Sequence, residues 1–184
     1  PGFTMELLDQ FFAVIKQEVV PLLKAVVDSK VQIRDDFLAG DFSDAQQEKI
    51  GRFLGEYVGF DFSRGVMATS AHPFTTNLHN RDVRITTHYN DNLDSSLFSV
   101  IHETGHAVYE LGIRDDLTQT LVGEGASMGM HEAQSRFFEN IIGRNKSFWV
   151  PIYEKVQAAF PQTLTHIRRD QFVDAVNKVE PGLI

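Results

Sequence analysis

Apolar residues recur at steps of three and four along most of this 184-residue chain, and that spacing is typical of helices with one buried face. A long first helix is predicted to begin near Thr4. Ser43, with Gln46 three positions later, has the pattern of a capping box that starts a second helix, and Gly59 is expected to end it. The apolar face of the first helix comprises Leu8, Phe11, Phe12, Ile15, Val19, Leu22, Leu23 and Val26. The pattern therefore predicts a mainly α-helical fold.

One segment, residues 60–89, lacks the helical spacing. Glycine and β-branched residues are frequent there, and Val83, Ile85 and Thr87 alternate with polar residues in the way that is typical of a strand. A chain with 42% hydrophobic residues and 15 phenylalanines can bury a substantial core without disulfides. We therefore expect a single domain over residues 1–184, mainly α, with a small antiparallel β-sheet.

Two helices after this segment carry most of the residues that could take part in chemistry. The first is predicted to begin at Asn92 or Asp94 and to end at Leu111, just before a glycine. The second is predicted over about residues 123–142 and again ends before a glycine. Two further helices are predicted to begin at Ser147 and at Thr163 or Thr165, the last one running toward Val179.

His102-Glu103-Thr104-Gly105-His106 is an HExxH motif within the first of these two helices. Residues four apart lie on one face of a helix, so the two imidazoles can reach one metal ion. Glu103 projects about 100° further around the helix axis, where it could face a water molecule and take its proton. Because the motif falls inside a helical pattern, it predicts metal-dependent hydrolysis.

A catalytic zinc ion usually takes three protein ligands and leaves one position open, so the motif needs a further ligand. The chain has no cysteine, which restricts the choice to histidine and carboxylates. Glu110, Glu124, His131 and Glu132 are the candidates downstream. Glu110 lies another turn along the motif's own helix, where its reach to the metal is poor, so we expect the ligand to come from the second helix. The spacing leaves His131 and Glu132 as alternatives.

Asp82, Arg84 and Thr86 occupy alternate positions of the predicted strand and are expected to project to one side of it. One interpretation is a substrate clamp, in which Arg84 binds a carboxylate through two parallel hydrogen bonds. The alternative is an Asp–Arg pair on an exposed edge, which contributes little. His72 stands before a proline, and this favours an extended backbone without indicating a function.

Charge and hydropathy argue against two classes of partner. The formal net charge is −8 and no run of basic residues occurs, so the long-range field would repel nucleic-acid phosphates. The longest unbroken apolar stretch, residues 11–15, is far shorter than the ~20 residues that a membrane-spanning helix needs. The lack of cysteine fits a reducing compartment. We expect a cytoplasmic protein that binds neither nucleic acid nor membrane.

Four short motifs occur in an order that resembles the carboxypeptidase Taq family, the thermostable metallocarboxypeptidases. They are His72-Pro73-Phe74, Asp82-Val83-Arg84-Ile85-Thr86, the HExxH motif at 102–106, and His131-Glu132-Ala133-Gln134. The resemblance implies a helical zincin-like metallopeptidase core. It also implies that His102, His106 and Glu132 bind zinc and that Glu103 is the general base.

The same resemblance bears on substrate, assembly and metal. It assigns the binding of a peptide substrate to His72, Phe74, Asp82, Arg84, Thr86 and His131. Chains of the family are longer, which implies that these 184 residues are a central catalytic fragment. A homodimer is implied for the full-length protein, and Co²⁺ is a candidate substitute for Zn²⁺.

The sequence thus predicts a zinc-dependent metallocarboxypeptidase that removes residues from the C-termini of peptides. One alternative is an endo-acting oligopeptidase with the same zinc chemistry, which would also cleave peptides blocked at their C-terminus. The other alternative is a truncated fragment that binds metal without turnover. Metal analysis and an assay of hydrolysis distinguish these three outcomes.

Overall fold

The computed structural model describes residues 2–179, which divide into two compact units. Of these residues, 2–33 and 177–179 form the first unit. Helix α1 (Met5–Val27) accounts for most of it, and the Thr4 hydroxyl caps the helix by accepting a hydrogen bond from the amide of Leu7 at 3.2 Å. The helix continues through Pro21, and no residue of α1 is buried.

The second unit, residues 34–176, is helical apart from one small sheet. The predicted mainly α fold is therefore confirmed. In chain order its elements are a 3₁₀ turn (Asp36–Leu38), α2 (Asp44–Val58), β1 (Gly65–Thr69), β2 (Thr75–His79), β3 (Asp82–Thr87), α3 (Leu93–Leu111), α4 (Met128–Arg136), a π-helical turn (Phe137–Gly143), α5 (Lys146–Trp149), α6 (Tyr153–Ala159), α7 (Pro161–Leu164) and α8 (Arg169–Val176).

The three strands form a sheet in the order β1-β3-β2, so the predicted strand β3 lies in the middle. β2 pairs with β3 antiparallel, as expected, but β1 pairs with β3 parallel, and the sheet is therefore mixed. The chain reverses direction between β1 and β2 and again between β2 and β3. Two reversals restore the original direction, which is why β1 runs alongside β3.

Helix α3 is the central element of the second unit, because it packs against α2, the sheet and α4. Its predicted bounds are confirmed: Asn92 caps it by accepting a hydrogen bond from the amide of Ser95 at 3.1 Å, and Gly112 follows its last residue. The capping box of Ser43 and Gln46 on α2 is also confirmed. Successive turns of α3 bury Leu97, Ile101 and Ala107 in the apolar core.

The predicted helix over residues 123–142 is shorter and interrupted. Residues 117–123 form turns in which, for example, the amide of Gly123 donates to the carbonyl of Thr120 at 2.9 Å, and the helix starts only after its cap at Ser127. After Arg136 the helix widens into the π-helical turn. The last predicted helices are also broken into α5 to α8, and Pro151, which lacks an amide hydrogen, lies two residues after the end of α5.

Within residues 2–179, we find no helix that combines the length and the apolar character required to cross a membrane.

Candidate metal centre

Helix α3 supplies the HExxH side chains from its C-terminal half. One helical turn separates His102 from His106, and their ring centroids lie 5.0 Å apart. Only 17% of the His102 side chain and 16% of the His106 side chain are exposed. The helix therefore presents two partly buried imidazoles on the face that packs against α4.

Gly105, inside the motif, allows α4 to approach α3 closely. A Cβ atom at this position would lie 2.8 Å from Cα of Ser135 and 3.1 Å from the carbonyl oxygen of Gln134. Real Cβ atoms do not come that close to a backbone without a shift of one of the two helices. Glycine at this position thus permits the helix contact that brings Glu132 to the histidines.

Glu132 lies opposite both histidines. Its Oε2 is 3.4 Å from Nε2 of His106 and 3.7 Å from Nε2 of His102. One donor atom from each of these three residues lies within 4.8 Å of the other two, so the group could hold a metal ion. The Glu132 carboxylate is also held by Nε of Arg136 at 2.7 Å and by the hydroxyl of Ser135 at 3.2 Å.

The second nitrogen of each histidine makes a contact away from Glu132. Nδ1 of His102 lies 2.8 Å from Oε2 of Glu139, which also accepts a hydrogen bond from Arg136 at 3.1 Å. Nδ1 of His106 lies 2.6 Å from Nδ1 of His131. Both Nε2 atoms are thereby left to face the carboxylate. Two neutral imidazole nitrogens and one carboxylate oxygen form a donor set that suits a divalent metal ion.

The remaining candidates for a third ligand do not belong to the metal-binding group. His131 already has partners at both ring nitrogens, since its Nε2 is 2.5 Å from Oε1 of Glu110. Glu110, at the far end of α3, contacts His131 rather than the cluster. Glu124 lines a neighbouring cavity together with Glu110 and His131. Of the four candidates, the structure brings only Glu132 together with His102 and His106.

The carboxyl group of Glu103 is buried and bound by Thr75. The Thr75 hydroxyl donates to Oε2 of Glu103 at 2.6 Å. Burial raises the pKa of Glu103, and the hydrogen bond from Thr75 offsets only part of that rise. A carboxyl group with a raised pKa beside a metal site is suited to accept and return a proton.

Electrostatics favour the protonation states that a metal ligand requires for His106 and Glu132 but not for His102. Burial acts to lower the pKa of His102, but the hydrogen bond to Glu139 and the charges of the neighbouring carboxylates outweigh it and raise the pKa. Burial, together with the charges of His102 and His131, lowers the pKa of His106 to about 4. For Glu132, burial acts in the direction of a higher pKa, but the hydrogen bond from Arg136 and the charge of His102 outweigh it and lower the pKa. His106 is therefore neutral and Glu132 ionised at neutral pH.

The cluster opens into a cavity of about 370 Å³. Glu103 lines this cavity, as do His72 and Phe74, two of the predicted substrate contacts. The lining residues are His72, Pro73, Phe74, Thr75, His102, Glu103, His106, Met128, His131 and Glu132. Asp82, Arg84 and Thr86 are not among them, so the structure brings only part of the predicted substrate-binding set to the metal cluster.

The three polar residues of strand β3 that were predicted to bind substrate have two different environments. Arg84 makes a two-pronged pair with Asp82, with Nε–Oδ1 and Nη2–Oδ2 distances of 2.9 Å each, and both side chains are substantially exposed. Thr86 is buried instead. Its hydroxyl accepts a hydrogen bond from the amide of Phe74 at 2.9 Å and lies 2.6 Å from the hydroxyl of Ser70. Thr86 therefore anchors the segment that carries His72 and Phe74.

No sequence pattern indicates a role for Thr75 or Glu139. Thr75 belongs to a different element from Glu103, and no local pattern links a strand residue to a helix residue 28 positions away. The spacing of Glu139 could have indicated that it lies near the site, because a residue seven positions after Glu132 lies close to it on a helical surface. Its contact with His102 depends on the packing of α3 against the π-helical turn.

A helix with an HExxH motif whose histidines meet a carboxylate from a second helix is the arrangement of metallopeptidases with a His₂Glu site. The comparisons with known proteins agree. All residues, 1–184, match the family model described as carboxypeptidase Taq (M32) metallopeptidase. The chain belongs to this family, and the predicted resemblance is confirmed.

Individual relatives match over the whole chain but extend well beyond it. The chain is 42% identical to carboxypeptidase 1 of Bacillus subtilis and covers 37% of that protein. It is 34% identical to thermostable carboxypeptidase 1 of Thermus thermophilus and covers 36% of it. The crystal structure of the M32 carboxypeptidase from Deinococcus radiodurans matches with a TM-score of 0.93 and 37% identity, over 100% of this chain and 37% of that one.

Proposed function

We propose that this chain is the catalytic core of a zinc-dependent metallocarboxypeptidase, an enzyme that hydrolyses peptides one residue at a time from the C-terminus. Residues 1–184 would act as a single catalytic fragment within a longer, mostly helical protein. One observation carries the proposal: the metal-binding group of His102, His106 and Glu132 shares a cavity with the buried carboxyl group of Glu103. The carboxypeptidases that match the chain from end to end support it.

His102 and His106 would bind the zinc ion through Nε2, and Glu132 would bind it through a carboxylate oxygen. The contacts of the other imidazole nitrogens, to Glu139 and His131, support this choice of donor atoms. When bound, zinc polarises a carbonyl group and lowers the pKa of water. Co²⁺, which accepts the same donor types, would substitute for it.

Glu103 would act as the general base and then as the general acid. Its carboxylate takes the proton from the attacking water and delivers it to the nitrogen of the leaving amino acid. The hydrogen bond from Thr75 holds Oε2, which leaves Oε1 for the water molecule. The raised pKa of Glu103 supports this role, because a stronger base takes the proton more readily and a neutral carboxyl group can return it.

His72 and Phe74 would form part of the barrier that closes the cavity behind the substrate's last residue. Their place in the cavity lining supports this, and Thr86 would position them through its contact with the Phe74 amide. Arg84 would bind the terminal carboxylate of the substrate, exchanging its present partner Asp82 for it. A cytoplasmic location and homodimeric assembly of the full-length protein remain predictions from composition and resemblance.

The test is hydrolysis by the full-length, zinc-loaded protein of two matched peptides, one with a free C-terminal carboxylate and one amidated. We expect stepwise loss of C-terminal residues from the free acid and little cleavage of the amide. Glu103→Gln, which keeps the size of the side chain, should lower kcat roughly 100- to 10,000-fold while zinc stays bound.

Equal internal cleavage of both peptides would instead indicate an endo-acting oligopeptidase. Bound zinc without cleavage of either peptide would support a metal-binding protein without turnover. A Glu103→Gln variant with unchanged kcat would contradict the proposed general base.

A further inference from the structure

His131 and Glu110 form a hydrogen-bonded chain that ends at a candidate metal ligand. Nδ1 of His106 lies 2.6 Å from Nδ1 of His131, and Nε2 of His131 lies 2.5 Å from Oε1 of Glu110. The amide nitrogen of Asn77 donates to the second oxygen of Glu110. The Glu110 side chain is 8% exposed and that of His131 is 21% exposed, so water competes little with these hydrogen bonds.

The donor and acceptor in each hydrogen bond can be assigned by starting from Glu110, the most buried of the three residues. The Oε1 atom of Glu110 accepts in this contact when Nε2 of His131 carries a proton and donates it. With its one ring proton on Nε2, His131 offers Nδ1 as an acceptor. Nδ1 of His106 must therefore be the protonated partner. This leaves the lone pair of His106 on Nε2, the atom that faces Glu132 at 3.4 Å.

We propose that Glu110 and His131 act as a positioning relay, which fixes the tautomer and ring orientation of His106 so that its Nε2 binds the metal ion. The inference rests on the proposed metal site. It also replaces the predicted substrate-binding role of His131, because both of its ring nitrogens are engaged with protein atoms. The two histidines of the motif are thus held differently, His102 by a carboxylate directly and His106 by a carboxylate acting through a second imidazole.

The relay predicts how tightly variants of the full-length protein bind zinc, measured by competition with a chelator. His131→Phe keeps the ring shape but removes the acceptor for His106, and we expect zinc to bind about 10- to 100-fold more weakly. His131→Asn keeps an acceptor oxygen near the position of Nδ1 and should recover part of that loss. This rescue distinguishes positioning from simple loss of packing.

Asp94→Asn is the matched control. Asp94 lies on the same helix α3 and pairs with Arg144 at 3.4 Å, but it does not contact the relay. Its substitution should lower the melting temperature and leave zinc affinity unchanged. A loss of zinc affinity in this control as large as that of His131→Phe would contradict the relay, because general loosening of α3 would then explain both.

The tautomers give a readout that does not depend on any variant. In the metal-free protein with ¹⁵N-labelled histidine, we expect the NMR shifts of His106 to report a proton on Nδ1 and those of His131 a proton on Nε2. A His106 ring protonated on Nε2, or His131→Phe binding zinc as tightly as the wild type, would overturn the relay. Failure of the wild type to bind zinc would instead contradict the proposed function itself.

Discussion

At the scale of single residues, two carboxyl groups in one cavity acquire opposite properties from their surroundings. Glu103 is buried, has one hydroxyl partner, and its pKa is raised. Glu132 is closer to solvent, is bound by Arg136, and its pKa is lowered. A carboxylate that stays ionised suits a metal ligand, whereas one with a raised pKa suits proton transfer. Environment, rather than residue type, thus separates the two proposed roles.

Arg84 gives a prediction at the same scale. If Arg84 binds the terminal carboxylate of the substrate, Arg84→Ala should lower kcat/KM for free-acid peptides more than for amidated peptides. Arg81→Ala is the matched control, because Arg81 forms a similar exposed pair with Asp115. We expect no change in the free-acid to amide ratio for that control. An unchanged ratio in Arg84→Ala would leave its contact with Asp82 as a surface ion pair of little energetic value.

At the scale of elements, the candidate site depends on how α3 and α4 meet. α3 was predictable because a capping residue and a final glycine mark its ends, and the apolar spacing between them is regular. The beginning of α4 was not, because the turns of residues 117–123 are made by local backbone hydrogen bonds that the hydrophobic spacing does not reveal. The π-helical turn likewise has no clear sequence signal, although such turns are frequent at functional sites.

Gly105→Ala tests the close contact between these two helices. The added methyl group would lie 2.8 Å from the backbone of Ser135, so we expect a loss of about 1–3 kcal/mol in the free energy of unfolding and weaker zinc binding. Gly129→Ala is the matched control on α4, since its methyl group would approach only the Ser127 hydroxyl, at 3.9 Å. That change should be neutral or stabilising by up to about 1 kcal/mol. Equal effects in both variants, measured by denaturant unfolding, would contradict the steric argument.

At the scale of the whole molecule, local rules predicted the helical class, and the motif spacing predicted that His102 and His106 share one face. The choice of Glu132 over His131 required either the resemblance or the structure. These residues are neighbours about 100° apart on a helix, and only the packing of α4 decides which one faces the histidines. The mixed pairing of β1 depends on long-range contacts, which alternation of polar and apolar residues does not report. For the same reason the relay through Glu110 was not predictable from sequence.

The most direct test of the metal centre is anomalous diffraction at the zinc absorption edge from crystals of the full-length, zinc-loaded protein. We expect one strong peak per chain, about 2.0–2.2 Å from Nε2 of His102, Nε2 of His106 and a carboxylate oxygen of Glu132. His131 should remain outside the coordination sphere, in contact with Glu110. A peak bound by His131 in place of Glu132 would contradict the proposed ligand set. The absence of a peak between α3 and α4 would contradict the proposed centre and the hydrolytic function that depends on it.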